Sequence, residues 1–316
     1  MIWRIVATAL LFCAAFLCLG GSNAAQNAQA IVYLPSVQVE HAMRHGVGVH
    51  REYFDCAGLQ ALGVDAVLNW QYPPYCPGVQ AIGMQWGKEA TVKAPDYVSI
   101  VLGFNAPDMD DQADMTSRAG AIKWHDDVER VHADRLLGSP VPSQLGIDWL
   151  LRWRDEYLSL YGKAPRVDYV TLMCYGTCGE NTSGAMDCQK YIREQYYLIE
   201  LFGARGIIVS ECGYPTCWEN EQATINEMQE LTRFFASERE VVAWFWFIDT
   251  MRGTEPWWDA PDCKTQLRDF DTGGLTALGV AYRSLAWELG ADVNRDHKVD
   301  ILDGVIWGAA FGREYP

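Results

Sequence analysis

Short apolar runs rich in β-branched residues recur from about Val47 onward, separated by stretches whose apolar positions follow a helical spacing. The runs predict strands at Gly46–His50, Ala66–Trp70, Ala81–Trp86, Tyr97–Phe104, Arg135–Gly138, Val167–Tyr175, Gly206–Glu211 and Val241–Ile248. The intervening pattern predicts helices, clearest at Gln112–Val131, Gln144–Tyr161, Lys190–Phe202 and Glu221–Ser237, and Gly274–Leu289 closes the series. Eight strands, each followed by a helix or a long loop over roughly 250 residues, predict an α/β protein built as one (β/α)8 TIM barrel. An open doubly wound sheet is the competing architecture. It carries a glycine-rich phosphate turn after its first strand, and no such turn follows Gly46–His50.

The two ends of the chain break this rhythm. Met1–Ala30 has one basic residue, Arg4, then an apolar stretch to Leu19 and small residues before Ala-Gln-Ala, the layout of a secretory signal peptide. The apolar run is short for a membrane span, the other reading of such a segment. Export places the mature protein outside the cell. Cleavage removes one base and no acid, so 25 bases against 41 acids become 24 against 41, a net charge of −17 in place of −16. That balance repels phosphate backbones and anionic lipids, which argues against nucleic acid and membrane partners. Eight cysteines remain, and an even count in an exported chain favours disulfides over metal. The expected pairs are Cys56–Cys76, Cys178–Cys188 and Cys217–Cys263, with Cys174 and Cys212 either buried thiols or a further pair.

After residues 31–289, assigned to the barrel, residues 290–316 change character. Asp292, Asn294, Asp296, Asp300 and Asp303 stand at positions 1, 3, 5, 9 and 12 of a twelve-residue loop, and the Lys298 carbonyl falls at position 7. An EF-hand-like loop wraps oxygens around Ca²⁺ in this order. His297 replaces the usual glycine at position 6. The stretch Asp292–Gly312, with the apolar helix Ile301–Phe311, resembles one half of a dockerin repeat. Its expected partner is a cohesin-like domain or a surface of the same chain.

Two strand ends carry the candidate chemistry. Tyr97–Leu102 leads into Gly103-Phe-Asn-Ala-Pro-Asp108, and Gly206–Ser210 leads into Glu211. Barrel active sites sit at the C-terminal ends of strands. Two carboxylates flanking a sugar bond make a glycosidase, whereas a lone rim glutamate is otherwise a solvated group or a helix cap. Asn105 and the aromatic residues Trp70, Trp86, Tyr175, Trp218, Trp244 and Trp246 stand near strand ends, where aromatic faces stack on pyranose rings. Tryptophan on a strand is also ordinary core filler.

Taken with Asn69-Trp70, Gln112-Ala113, Gly138-Ser-Pro140, Val167-Asp-Tyr169, Tyr175-Gly176, Val209-Ser-Glu211 and Ala243-Trp-Phe-Trp246, these motifs make Val47–Leu289 resemble the family 128 glycoside hydrolases, the Asl1-like catalytic domain. The resemblance implies a retaining β-glucan-active barrel with Glu211 as nucleophile and Asn105 bonding the sugar 2-hydroxyl. The family's general acid/base falls on Ala106, and Asp108 is the candidate surrogate. A His-Trp pair usual before the Tyr-Gly of strand six falls on Met173-Cys174. The resulting expectation is a secreted glycosidase-like protein with impaired hydrolysis. The alternatives are an inactive carbohydrate-binding protein and a secreted scaffold that works through its calcium segment.

Overall fold

The computed structural model describes residues 45–175, 184–213, 221–250 and 265–291. Eight strands form one parallel sheet: β1 His45–Gly48, β2 Ala66–Leu68, β3 Gln80–Met84, β4 Val98–Leu102, β5 Leu136–Leu137, β6 Val170–Tyr175, β7 Ile207–Gly213 and β8 Val241–Trp246. Their spatial order is β5-β4-β3-β2-β1-β8-β7-β6, so β1 lies between β2 and β8. A parallel bridge joins Gly138 to Tyr169, and the Ser139 N–H donates to the Tyr169 carbonyl at 2.8 Å. These contacts bring the two edge strands together and curl the sheet into a TIM-like barrel.

Apolar side chains divide by strand parity. Ala66, Leu68, Ile82, Met84, Ile100, Leu102, Ile208, Ala243 and Phe245 form an interior cluster to which no helix contributes. Their neighbours Val67, Val101, Val209 and Trp244 face outward and pack beneath the helices. Seven helices are described: α1 Cys56–Leu62, α2 Ser117–Lys123, α3 Ile147–Tyr161, α4 Gly184–Glu194, α5 Tyr197–Phe202, α6 Glu221–Ser237 and α7 Ala277–Ala291. In α3 the buried residues Trp149, Leu150, Trp153 and Tyr157 make one stripe, and α6 buries Thr224, Met228, Leu231 and Phe235 in the same manner. Among the described residues, no helix is long and apolar enough to cross a membrane.

Three element boundaries depart from the sequence pattern. The helix expected from Gln112 starts at Ser117, because Thr116 caps it by accepting the Ala119 N–H and Gln112 is engaged elsewhere. It runs on into a π-helical turn at Trp124–Glu129, where the Trp124 indole donates to Glu129. The single helix expected over Lys190–Phe202 is two helices. Between them the Gln195 and Tyr196 N–H groups bond carbonyls three residues back, which tightens the chain out of the α-helical ladder.

Cys56 pairs with Cys76, and their Cα atoms are 5.4 Å apart. The expected Cys178–Cys188 pair is corrected: Cys188 on α4 pairs with Cys174 on β6, at a Cα separation of 5.6 Å. Cys174 points outward from the sheet into the layer that α4 covers, which makes it the thiol within reach. Cys212 is a buried free thiol. Cys178, Cys217, Cys263, Met1–Ala30, Trp218 and the loop Asp292–Asp303 lie outside the described residues.

The segment after β8 is tied back to the start of the barrel. Asp249 is 0% exposed, its N–H donates to the Gly48 carbonyl, and Arg268 donates to both of its carboxylate oxygens at 2.8 and 2.6 Å. The same guanidinium reaches Asp55, the cap of α1, at 2.6 Å. Burial raises the Asp249 carboxyl above its ordinary pKa, and Arg268 opposes that rise.

Candidate active site

Glu211 stands at the C-terminal end of β7 and is 6% exposed. A β-bulge aims it inward. Val209 pairs with Leu172 and Glu211 with Met173, so Ser210 is an extra residue opposite no partner. Without that insertion Ile208 and Glu211 would lie on opposite faces; with it both point into the barrel. Ser210 is retained by its hydroxyl, which donates to the Leu172 carbonyl at 3.2 Å.

Two donors hold the carboxylate. The Trp70 indole N–H, just past β2, donates to Oε1 at 2.6 Å, and the Tyr175 hydroxyl, at the end of β6, donates to Oε2. Burial pushes the Glu211 carboxyl above the usual carboxylate range, and the hydrogen bonds from Tyr175 and Trp70 act in the opposite direction. Burial, reinforced by Glu211, carries the Tyr175 phenol well above its own ordinary value. Trp70 is in turn positioned by Asn69, whose Nδ2 donates to the Val49 carbonyl and whose Oδ1 accepts the Gln71 N–H. Phe247 meets both donors edge-on, with ring centroids 5.4 Å from Trp70 and 6.2 Å from Tyr175. Phe247 is a site residue that the sequence pattern did not single out, because its place beside Trp70 and Tyr175 depends on contacts across the barrel.

The β4 end approaches from the other side. Gly103 is required there because a Cβ would lie 2.6 Å from the Pro140 nitrogen and 2.7 Å from the Trp124 ring. The Asn105 amide donates to Gln112 Oε1 at 3.2 Å, and its own Oδ1 is buried without a partner. Ala106 is 3% exposed, packs in the interior cluster with Met84, Val141 and Met173, and adopts a left-handed φ of 37°. Its N–H donates to the Val141 carbonyl at 2.7 Å.

Asp108 does not join this group. Its carboxylate accepts both the backbone N–H and the hydroxyl of Ser143, and it lies against Gly146 at the start of α3. Trp244 and Trp246 are not at the mouth either. Both are 1% exposed in the outward layer, Trp244 against Phe235 and Trp246 donating to the Thr265 carbonyl. An irregularity in the pairing of β7 with β8 between Ile207 and Ile208 leaves Ala243 and Phe245 as the inward residues of β8. Trp86 does reach the mouth. With Trp70, Tyr72, Arg51, Glu52 and Glu89 it lines a groove of about 590 Å³ that runs up to Trp70. Among the described residues, no group of three or more His, Cys, Asp or Glu side chains is placed to hold a metal ion.

A carboxylate fixed by two donors, an unpaired amide oxygen and an aromatic groove offer a nucleophile, a hydrogen-bond acceptor and stacking faces within one site. In fold the chain is similar to a curdlan-specific exo-β-1,3-glucanase of family 128, subgroup III, from Blastomyces gilchristii, solved with glucose. The two are 21% identical over 77% of this chain and 99% of that one, with a TM-score of 0.61. An endo-β-1,3-glucanase of subgroup II from Sorangium cellulosum gives a TM-score of 0.60 at 21% identity, over 76% of this chain and 98% of that one. A variant endo-β-1,3-glucanase of subgroup I from Amycolatopsis mediterranei, solved with laminarihexaose, also gives 0.60 at 21% identity, over 77% and 99%. No curated protein matches the chain. The model of the glycosyl hydrolase catalytic core matches residues 63–282, most of the chain including every residue of the described site except those after β1, and the chain belongs to that family.

Proposed function

We propose that this is an exported glycosidase-type protein of family 128 character that takes β-1,3-glucan chains and attacks them by the retaining route, with Glu211 as nucleophile. The observation that carries the reading is the clamp on Glu211, with one carboxylate oxygen bonded by Trp70 and the other by Tyr175. Asn105, with its unpaired oxygen, is the candidate partner of a sugar hydroxyl, and Trp70 and Trp86 are the candidate stacking platforms. Laminarin titrated by calorimetry, together with an activated 2-fluoro laminaribioside that traps the glycosyl-enzyme, tests it. Binding with covalent label on Glu211 is expected. Absence of both overturns the reading.

A second reading has its own observation. Ala106 stands at the β4 end, where the family resemblance puts the second carboxylate of a retaining enzyme, and a buried methyl group supplies none. A protein that binds laminarin and never forms the covalent adduct is a carbohydrate-binding protein on a glycosidase frame.

The acid limb of activity follows from the clamp. Glu211 attacks only when ionised, so the rate on an activated substrate should rise as pH climbs through its raised pKa. Tyr175→Phe removes a bond that favours the charged form, so the limb should move to higher pH, as kcat/KM profiles will show. An unmoved or lowered limb means that Tyr175 does not bond the nucleophile in solution.

We also propose one Ca²⁺ in the segment from Asp292 to Asp303, on the twelve-residue spacing of its oxygen side chains. Calorimetry should detect about one calcium per chain. An Asp292→Ala variant that binds as well as the parent removes this assignment.

A further inference from the structure

Residues 69–79 connect β2 to β3, and residues 85–97 connect β3 to β4, each without a helix. Because these strands are parallel neighbours, each connection returns along the outside of the sheet. Two hydrogen bonds lace the returning segments together. The Tyr72 hydroxyl donates to the Val92 carbonyl at 2.7 Å, and the Tyr97 hydroxyl donates to the Pro73 carbonyl at 3.0 Å. Two aromatic rings stand exposed on this wall. Tyr75 is 62% exposed and Tyr97 39%, with ring centroids 5.5 Å apart and planes inclined at 58°.

Both rings are fixed before any ligand arrives. Tyr97 is held by its own hydroxyl, and Tyr75 by the chain around it. Pro73, Pro74 and Pro77 restrict the backbone, Cys76 is bridged to Cys56, and the Gln60 amide donates to the Pro77 carbonyl at 2.9 Å. A fixed ring pair offers apolar area at little cost in conformational entropy. The pair is also continuous with the groove that runs up to Trp70. Tyr72 and the exposed Val92 belong to the groove wall, and three residues of extended chain, about 10 Å at most, lead from Tyr72 to Tyr75. Nearby charges already pair with each other, Asp96 with Arg135 at 2.9 Å and Lys93 with Asp134 at 3.2 Å. Rings framed by neutralised charge suit a neutral polyhydroxyl chain, whose C–H faces stack on them.

We propose that Tyr75 and Tyr97 form a second carbohydrate platform, outside the groove, which holds a further stretch of the same neutral glucan polymer that enters the groove. The identity of the polymer as β-1,3-glucan rests on the reading above. The platform retains long chains and takes no part in chemistry. Two linked contacts on one chain raise its apparent affinity, whereas a chain too short to reach both gains nothing.

The test is retention of the full mature protein on insoluble β-1,3-glucan. Tyr75→Ala should weaken retention at least about threefold, the scale of one aromatic contact. Tyr75→Trp, which restores a stacking face, should be retained as well as the parent. Tyr75 is exposed, so both variants should fold. Both should also take the 2-fluoro laminaribioside label on Glu211 at the parent's rate, because a disaccharide in the groove does not reach the platform. A Tyr75→Ala protein retained like its parent overturns the platform, as does a parent that takes the label and is not retained. A parent that sediments as a dimer, with Tyr75→Ala a monomer, also overturns it and gives the face to a second copy of the chain. Retention that depends on Tyr75 in a protein that takes no label keeps the platform and overturns the nucleophile reading instead, so the two failures are distinct.

Discussion

Glu211→Gln is expected to lower phenol release from an activated laminaribioside by at least about 10³-fold, within the scale that removal of a nucleophile produces elsewhere. The substitution is nearly isosteric, and the amide still offers an oxygen to the Trp70 indole while Tyr175 reverses its hydroxyl to accept from the amide nitrogen. The fold should therefore survive, and laminarin binding should stay within about threefold, since a neutral amide fills the same volume. Single-turnover release and the mass of the trapped protein check the result. A variant that stays within tenfold of its parent, or still gains the mass of one glycosyl unit, removes Glu211 from the nucleophile's role.

The largest effect on stability is expected from Arg268→Met. It leaves Asp249, a fully buried carboxylate, without the guanidinium that bonds both of its oxygens and with Asp55 close by. Breaking a buried pair from one side costs about 3–5 kcal/mol. Urea denaturation at neutral pH should show the loss. The sign of its pH dependence follows from the same group: without Arg268 the Asp249 pKa rises further, so the deficit is full above that pKa and shrinks as acid protonates the carboxyl. Arg268→Met combined with Asp249→Leu should recover much of the loss, because no charge is left unpaired. A single variant as stable as its parent would show that Asp249 finds water or another partner.

Strands buried on both faces were legible because they read as unbroken apolar runs, and Val98–Leu102 shows why: Ile100 serves the interior and Val101 the helix layer. Strand order and the position of Glu211 at a strand end followed from the same pattern. Direction was harder. The extra residue at Ser210 reverses parity on β7 and brings Glu211 inward, and no local signal in Ile-Ile-Val-Ser-Glu announces it. Parity likewise decided against Trp244 and Trp246 as sugar platforms. Long-range pairing lay beyond reach for a different reason. Trp70 and Glu211 are 141 residues apart, and Asp108 meets Ser143 across 35, so only the folded barrel identifies them as partners.

The position of β1 between β2 and β8 has a consequence for synthesis. Its pairing with β8 matches Gly46 to Phe245, and Tyr282 donates its hydroxyl to the Gly46 carbonyl across 236 residues. One edge of β1 therefore stays open until almost the whole barrel has left the ribosome, roughly 10–40 s at ordinary elongation rates of about 5–20 residues per second. Throughout that interval the unpaired N–H and C=O groups of His45–Gly48 are a template for any other extended chain. The first strand of the barrel to be made is among the last to be enclosed, and its β8-facing edge is the one that stays open longest as the chain emerges.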